Sequence, residues 1–422
     1  MEKTLSFKKQ LSFYKTGFPK NYYHLLVRKL AKLWLGANSQ AKVIGIVGSF
    51  GKTTTTQVLS EFLGLSLPTL ATDINLDTNY NLPLTILKTR YSHRYLVLEM
   101  GVDHKLEMDF HLNLVVPEIL IFTGITPVHS DQEHLGSVEG VKKEKGKAIG
   151  PVVKRGGWVI ANADDQSVQE LMKKNKVKNI LWYSTKNKKG DLWADSIKLD
   201  KKGTSFVVKT EGEEIKIKGE FWGEGYVAAF LATAGIAKIL KLPFKDLVKT
   251  GGLVKALSGR MSLEKGPGGF WLLNDRLRAN PASVKMGLET FGEIPASRGG
   301  RKIVVLGEMG ELGEYAKKEH QGVGDLLEEM KFDQVIGIGP LLKETGKKTK
   351  ITWTKDVGEA AEELKKLKLI SKDMVYLKGS LLRHMERILL ILEGKKVGCK
   401  VISCDFYHPC SECEYLKTGI KV

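Results

Sequence analysis

The strongest chemical signal in this 422-residue chain is Gly48-Ser49-Phe50-Gly51-Lys52-Thr53-Thr54. These residues follow the apolar run 43–47, VIGIV, and open the helical stretch TTTTQVLSEFLG. Glycines let backbone N–H groups close around phosphate oxygens, and a helix N-terminus adds positive potential. In such a loop Lys52 reaches the β- and γ-phosphates and the Thr53 hydroxyl holds Mg2+. Position 46 is Ile, so the spacing is the short G-x-x-G-K-T form. Its strand–loop–helix setting points to an ATP site.

A second chemical cluster lies at the other end. Cys399, Cys404, Cys410 and Cys413 follow a C-x4-C-x5-C-x2-C spacing, with His408 among them. Four thiolates could hold one tetrahedral Zn2+ and staple a short tail that has little core of its own. Free thiols, or a redox or cluster role, remain alternatives at this spacing. No other cysteine occurs, which excludes a disulfide framework across the body and agrees with a reducing compartment.

The phosphate loop needs a strand before it and a helix after it, and the sequence supplies this alternation repeatedly. YLVLEMG (95–101), EILIFTGI (118–125) and GWVIANADD (157–165) read as buried strands, and SVEGVKKEKGKAIGPVVK (137–154) reads as helical. Strands alternating with helices imply an α/β fold with a mostly parallel sheet covered on both faces. Residues 191–222 read instead as β-hairpins, a small β insertion, followed by the helical GYVAAFLATAGIAKIL. A junction is expected near Ser258 to Arg260. Beyond it, 269–275, 301–309, 333–339 and 374–380 form a second set of strands, which predicts a Rossmann-like α/β domain. The expected organisation is a basic extension over 1–42, an ATP-binding domain over 43–256, a second α/β domain over 257–394 and a Cys-rich tail over 395–422.

Further motifs, taken in chain order, resemble the Mur ligase family. Glu99-Met100-Gly101 at a strand end is similar to the family's metal-binding Glu motif. The run Thr123-Gly124-Ile125-Thr126-Pro127-Val128-His129 resembles T-N-I-x-x-x-H, whose His helps hold a second Mg2+. Ser137-Val138-Glu139-Gly140-Val141 with Lys145 resembles the segment that carries a carbamylated lysine. Asn162-Ala163-Asp164-Asp165 looks like the N-x-D-D near the adenine. Gly259-Arg260-Met261 resembles the G-R-[MF] that sends an Arg toward the phosphates. Asn274-Asp275 with Ala279-Asn280-Pro281 is similar to a ribose-binding segment. Within the family, Val305 to Gly313 with His320, and Lys378-Gly379-Ser380 with Met385-Glu386, resemble the MurF type. So do Asn75, Pro83 and Thr85. The resemblance covers residues 43–393. It implies a P-loop ATPase domain followed by a Rossmann-like domain. It also implies an ATP- and Mg2+-dependent ligase that forms an amide bond through an acyl phosphate.

Those residue types suit that chemistry. Mg2+ prefers oxygen ligands, which Thr53 and Glu99 supply. A Lys145 ammonium would repel the metal, whereas its carbamate would be an anionic oxygen donor. The resemblance implies a peptide-bearing cell-wall precursor and a D-Ala-D-Ala-like amine as substrates. A different wall polymer or a polyglutamate-type acceptor stays open, as does a nucleotide-binding accessory subunit without ligase activity. Family members with a nucleotide-sugar substrate carry a UDP-binding domain ahead of the ATPase, and 42 residues cannot form one.

Formal net charge is +18. Residues 1–42 hold nine basic residues against one acidic, a net of +8. The helical YYHLLVRKLAKLWL (22–35) carries Arg28, Lys29 and Lys32 among apolar positions. It reads either as a helix packed on the body or as a basic amphipathic helix in peripheral membrane contact. No run approaches 18 apolar residues and no signal peptide is evident, so the expected location is the cytoplasm. No nucleic-acid reader module is recognisable, and no nucleic acid is expected as a partner.

Overall fold

The computed structural model describes residues 20–38, 40–73, 78–186, 188, 190–345, 350–404 and 409–419. Asn75, His408 and the first nineteen residues of the basic extension lie outside the described residues. The chain divides into two compact units. One holds Met1–Ile197, Ser205–Gly219 and Glu224–Val254; the other holds Lys198–Thr204, Glu220–Gly223 and Lys255–Val422.

In the first unit the apolar run after Lys42 forms β1 (Lys42–Val47), buried from its second residue onward. The next strands are β2 (Thr69–Ala71), β3 (Tyr95–Glu99), β4 (Ile119–Phe122), β5 (Trp158–Asn162) and β6 (Ile180–Ser184). The β insertion supplies β7 (Leu192–Asp200), β8 (Gly203–Lys209) and β9 (Glu214–Gly219). The sheet order is β2-β3-β1-β4-β5-β6-β7-β8-β9, and the register is parallel from β2 through β7. β1 sits between β3 and β4, so its side chains meet protein on every side. That explains why it reads as a continuous apolar run rather than an alternating one. The strand order reverses at β1, and in open parallel sheets ligands bind beyond the strands' carboxyl ends at such a reversal.

The helical reading of 137–154 is corrected in one detail: the stretch is two helices, Val138–Gly146 and Ile149–Lys154. Pro151 is the physical reason. It has no N–H to donate, so it is accommodated in the first turn of a new helix, where that donor has no intrahelical partner.

Helix Lys20–Ala37 turns Leu25, Val27 and Ala31 inward. Its Arg28 is also buried, with the guanidinium 3.6 Å above the Phe110 ring. Tyr22, Tyr23, Leu26, Leu30 and Leu33 face outward. No described helix is long and apolar enough to cross a membrane.

The second unit has a six-stranded sheet. Its strands are β10 (Ser262–Lys265), β11 (Trp271–Asp275), β12 (Lys302–Gly307), β13 (Gln334–Ile338), β14 (Thr352–Thr354) and β15 (Met374–Lys378). Their order is β10-β11-β15-β12-β13-β14, with only β10 antiparallel to its neighbour. Helix Pro281–Glu293 begins with a capping box between Asn280 and Ser283 and has Pro281 in its first turn. Its Gly287 lets it lie close on the sheet: a Cβ there would stand 1.7 Å from the Tyr376 hydroxyl.

Candidate active site

Three loops leave the carboxyl ends of β1, β3 and β4, and they interlock. Gly48 has φ 154°, and a Cβ on it would stand 1.9 Å from Thr123 Oγ1. Thr123 Oγ1 donates to the Phe50 carbonyl at 2.6 Å, and Ser49 N donates to the Gly124 carbonyl at 2.8 Å. Gly124 is under a similar constraint, since a Cβ there would meet the Phe50 ring at 2.4 Å. Gly51 adopts φ 73° immediately before helix Lys52–Gly64. That left-handed geometry is inexpensive for glycine and turns the chain into the helix. The result is a phosphate-sized loop followed by a helix N-terminus.

Within this frame Lys52 Nζ donates to the Gly48 carbonyl at 2.9 Å, arching back over the loop. Thr53 Oγ1 donates to Glu99 Oε2 at 3.0 Å, so the two oxygen donors sit together. They suit one hard cation. Asn162 and Asp165 brace the third loop: Asn162 Nδ2 donates to the Thr123 carbonyl at 3.0 Å, and Asp165 Oδ2 accepts from Ile125 N at 2.7 Å. The Asn162 side chain is thus engaged with the main chain, its Oδ1 accepting from Asp164 N.

Lys145 and His129 lie in the same neighbourhood. Lys145 is 2% exposed and donates to the Val102 carbonyl at 2.9 Å. Burial, with the Lys52 charge adding to it, pushes its amine down to about 7. Burial first, and then the Lys145 charge, also holds the His129 imidazole well below its ordinary value. That favours the neutral ring, the form that ligates a metal.

Sequence reasoning missed four neighbours: Asp103, His104, Glu107 and His134. The donor atoms of Asp103, His129 and His134 lie within 4.8 Å of one another, as do those of Asp103, His104 and Glu107. Burial raises Glu107 to about 7, and the Asp103 charge adds to the rise. Burial would also raise Asp103, but hydrogen bonds from His104 and Glu107 and the nearby imidazoles hold it at about 2. These loops carry a conformational cost. Leu106 has φ 72° and His129 φ 64°, unfavourable for residues with a Cβ. Glu107 offsets this locally by accepting from Asp103 N and His104 N. The available sequence signal was the density of His and acidic residues just after Glu99 and His129.

Arg260 and Asp275 belong to the second unit. Lys378 Nζ donates to Asp275 Oδ2 at 2.6 Å, and the Tyr376 hydroxyl donates to the same oxygen at 3.2 Å. Burial pushes the Asp275 carboxyl up and the Lys378 ammonium down, while each partner's charge opposes the shift. Arg260 lies close enough for its charge to act on both.

The four tail cysteines form no disulfide. Among the described residues, one group at the tail whose donor atoms lie within 4.8 Å of one another is His384, Glu386 and Cys410. Arg387 engages the start of the tail, donating to the Cys399 carbonyl and Sγ at 3.1 and 3.3 Å.

Parallel-sheet topology and an interlocked phosphate loop define a P-loop enzyme that uses ATP, joined to a Rossmann-like unit. Residues 46–237 match the Mur ligase middle domain and residues 259–381 the Mur ligase glutamate ligase domain. The chain is 30% identical over 373 residues to the UDP-N-acetylmuramoyl-tripeptide–D-alanyl-D-alanine ligase of Buchnera aphidicola, covering 86% of this chain and 79% of that protein. It is 26% identical over 369 residues to the Escherichia coli ligase of the same name, covering 85% and 78%. The crystal structure of MurF from Acinetobacter baumannii superposes with a TM-score of 0.79 at 26% identity, over 88% of this chain and 81% of that one. The chain belongs to the Mur ligase family.

The buried Asp275–Lys378 pair gives a direct check on the second unit. Asp275→Asn leaves a buried ammonium without its counter-charge and is expected to cost about 3–5 kcal/mol. The measurement is the urea midpoint of the second unit's unfolding, and an unchanged midpoint would contradict the pairing.

Proposed function

We propose that this chain is an ATP-dependent ligase that joins a carboxylate of a cell-wall peptide precursor to the amine of D-Ala-D-Ala or a similar dipeptide. The observation that carries this reading is the Thr53–Glu99 oxygen pair beside Lys52, with Lys145 and His129 buried in the same unit. In this reading the peptide carboxylate attacks the γ-phosphate of ATP, forming an acyl phosphate and ADP. The amine then attacks the acyl carbon, inorganic phosphate leaves, and the amine's proton passes to solvent or a nearby base. Lys52 holds the phosphates and the loop N–H groups cradle them. In this reading Asn162 borders the adenine.

Thr53 and Glu99 would hold one Mg2+, which when bound offsets phosphate charge. His129 and a carbamylated Lys145 would hold a second. Carbamylation needs the neutral amine: Lys–NH2 adds CO2 to give Lys–NH–COO− and a proton. A Lys145 amine lowered to about 7 supplies that form at neutral pH. With labelled bicarbonate, a carbamate carbon signal is expected that fades as pH falls below 7 and is missing in Lys145→Met. A signal unchanged in the variant would assign it elsewhere.

Two peripheral features belong to the same reading. The outward face of helix Lys20–Ala37, with Leu26, Leu30 and Leu33 beside the exposed Lys29, suits an anionic membrane surface. Wild-type protein should float with anionic vesicles, and Leu30→Asp/Leu33→Asp should not; equal flotation of the two would remove the helix from this role. The Cys-rich tail is read as a zinc-binding staple.

The ligase reading is tested by phosphate release from Mg-ATP with a UDP-linked muramoyl tripeptide, with and without D-Ala-D-Ala. Release that needs both substrates and is lost in Lys52→Ala is the expected result. ATP binding with no release on this pair would move the reading to a different acceptor.

A further inference from the structure

The tail docks on the loop that follows Lys378-Gly379-Ser380, and that loop brings donors of its own. Arg387, 1% exposed, is the fixed point. It donates to the carbonyls of Cys399 and Val401 at 3.1 and 2.7 Å and reaches Cys399 Sγ. Cys404 N donates to the Leu382 carbonyl at 2.9 Å. Cys410 N donates to Glu386 Oε1 at 3.2 Å, which brings the tail's second half onto the same loop.

This docking buries Cys410 against His384, which is itself 2% exposed. The donor atoms of His384, Glu386 and Cys410 all lie within 4.8 Å of one another. His384 Nδ1 and Glu386 Oε1 are 3.0 Å apart, and Glu386 Oε2 is 3.6 Å from Arg276 Nε. Cys410–Glu412 forms a 3-10 turn, and Cys413 N donates to the Cys410 carbonyl at 3.1 Å. That C-x-x-C turn returns Cys413 close enough for its charge to act on Cys410. Cys399 is also close enough for its charge to act on Cys410, but its sulfur already accepts a hydrogen bond from Arg387.

We propose that the second unit carries a structural Zn2+ site in which His384, Glu386 and Cys410 are three ligands and Cys413 is the fourth. This proposal rests on the reading of the tail as zinc-binding and changes its ligand set. Sulfur, imidazole and carboxylate together select Zn2+ over the Mg2+ of the ATP site. Four protein donors close the tetrahedron, the pattern of a structural ion. The ion joins the tail to the loop after β15 and thereby fixes the segment that follows the buried Lys378. The tail has little apolar material of its own, so the metal supplies the cross-link that a core would otherwise provide.

The test is zinc content of the full chain by elemental analysis, with the ligand field of the Co2+-substituted protein as a second readout. One equivalent of zinc is expected in wild type, lost in His384→Ala, Cys410→Ser and Cys413→Ser and kept in Cys404→Ser. The Co2+ spectrum should show a tetrahedral site with two thiolates, and far-UV circular dichroism would establish that each variant is folded. Zinc retained by folded His384→Ala but lost from Cys404→Ser and Cys399→Ser would overturn this site while leaving a four-cysteine staple standing. A wild-type chain purified with zinc in the buffer yet free of the metal would overturn both.

Discussion

The close approach of two backbones at Gly48 and Thr123 is the constraint on which the ATP site depends. No side chain fits at Gly48, because the Thr123 hydroxyl occupies that space. The contact fixes the loop after β1 against the loop after β4, and both strands lie adjacent in one parallel sheet. With the two loops fixed, Lys52 arches over the Gly48 carbonyl and Thr53 emerges beside Glu99 on the neighbouring strand. The oxygen donors for a cation therefore follow from sheet register, with little freedom left to the side chains. Preorganisation of this kind is what phosphoryl transfer asks of a protein, because the chemistry is mostly positioning and charge.

Next to that rigid frame lies a group of buried titratable residues whose charges are mutually dependent. Burial chiefly shifts Lys145, His129 and Glu107, whereas hydrogen bonds and nearby imidazoles lower Asp103 against its burial, and each of the four feels at least one of the others. A carboxyl at about 7 and an amine at about 7 sit where small changes in bound charge alter protonation. Perturbed groups of this kind gather at functional sites. Left-handed Leu106 and His129 in the same loops indicate backbone strain that the rest of the unit sustains.

The α/β class and its P-loop domain were legible because buried parallel strands have a distinctive composition and the phosphate loop has a distinctive spacing. Glu99, His129 and Lys145 were singled out through ordered motifs. Asp103, His104, Glu107 and His134 were not, since their significance comes from the fold bringing them within ligand distance. β2 and β14 are only three residues each and partly exposed, so they left no periodic signal. The helix break before Pro151 could have been read from the proline. His384 and Glu386 lie far before Cys410 in sequence, so cysteine spacing alone could not reveal them as its neighbours.

The central claim is that ATP activates a carboxylate as an acyl phosphate. It is tested most directly by labelling the acceptor peptide's terminal carboxylate with heavy oxygen and analysing the phosphate released during ligation. An acyl phosphate places one carboxylate oxygen in that phosphate, so the account predicts a single labelled oxygen per phosphate and none in Lys52→Ala, which should release no phosphate. Unlabelled phosphate released in step with amide formation would contradict it.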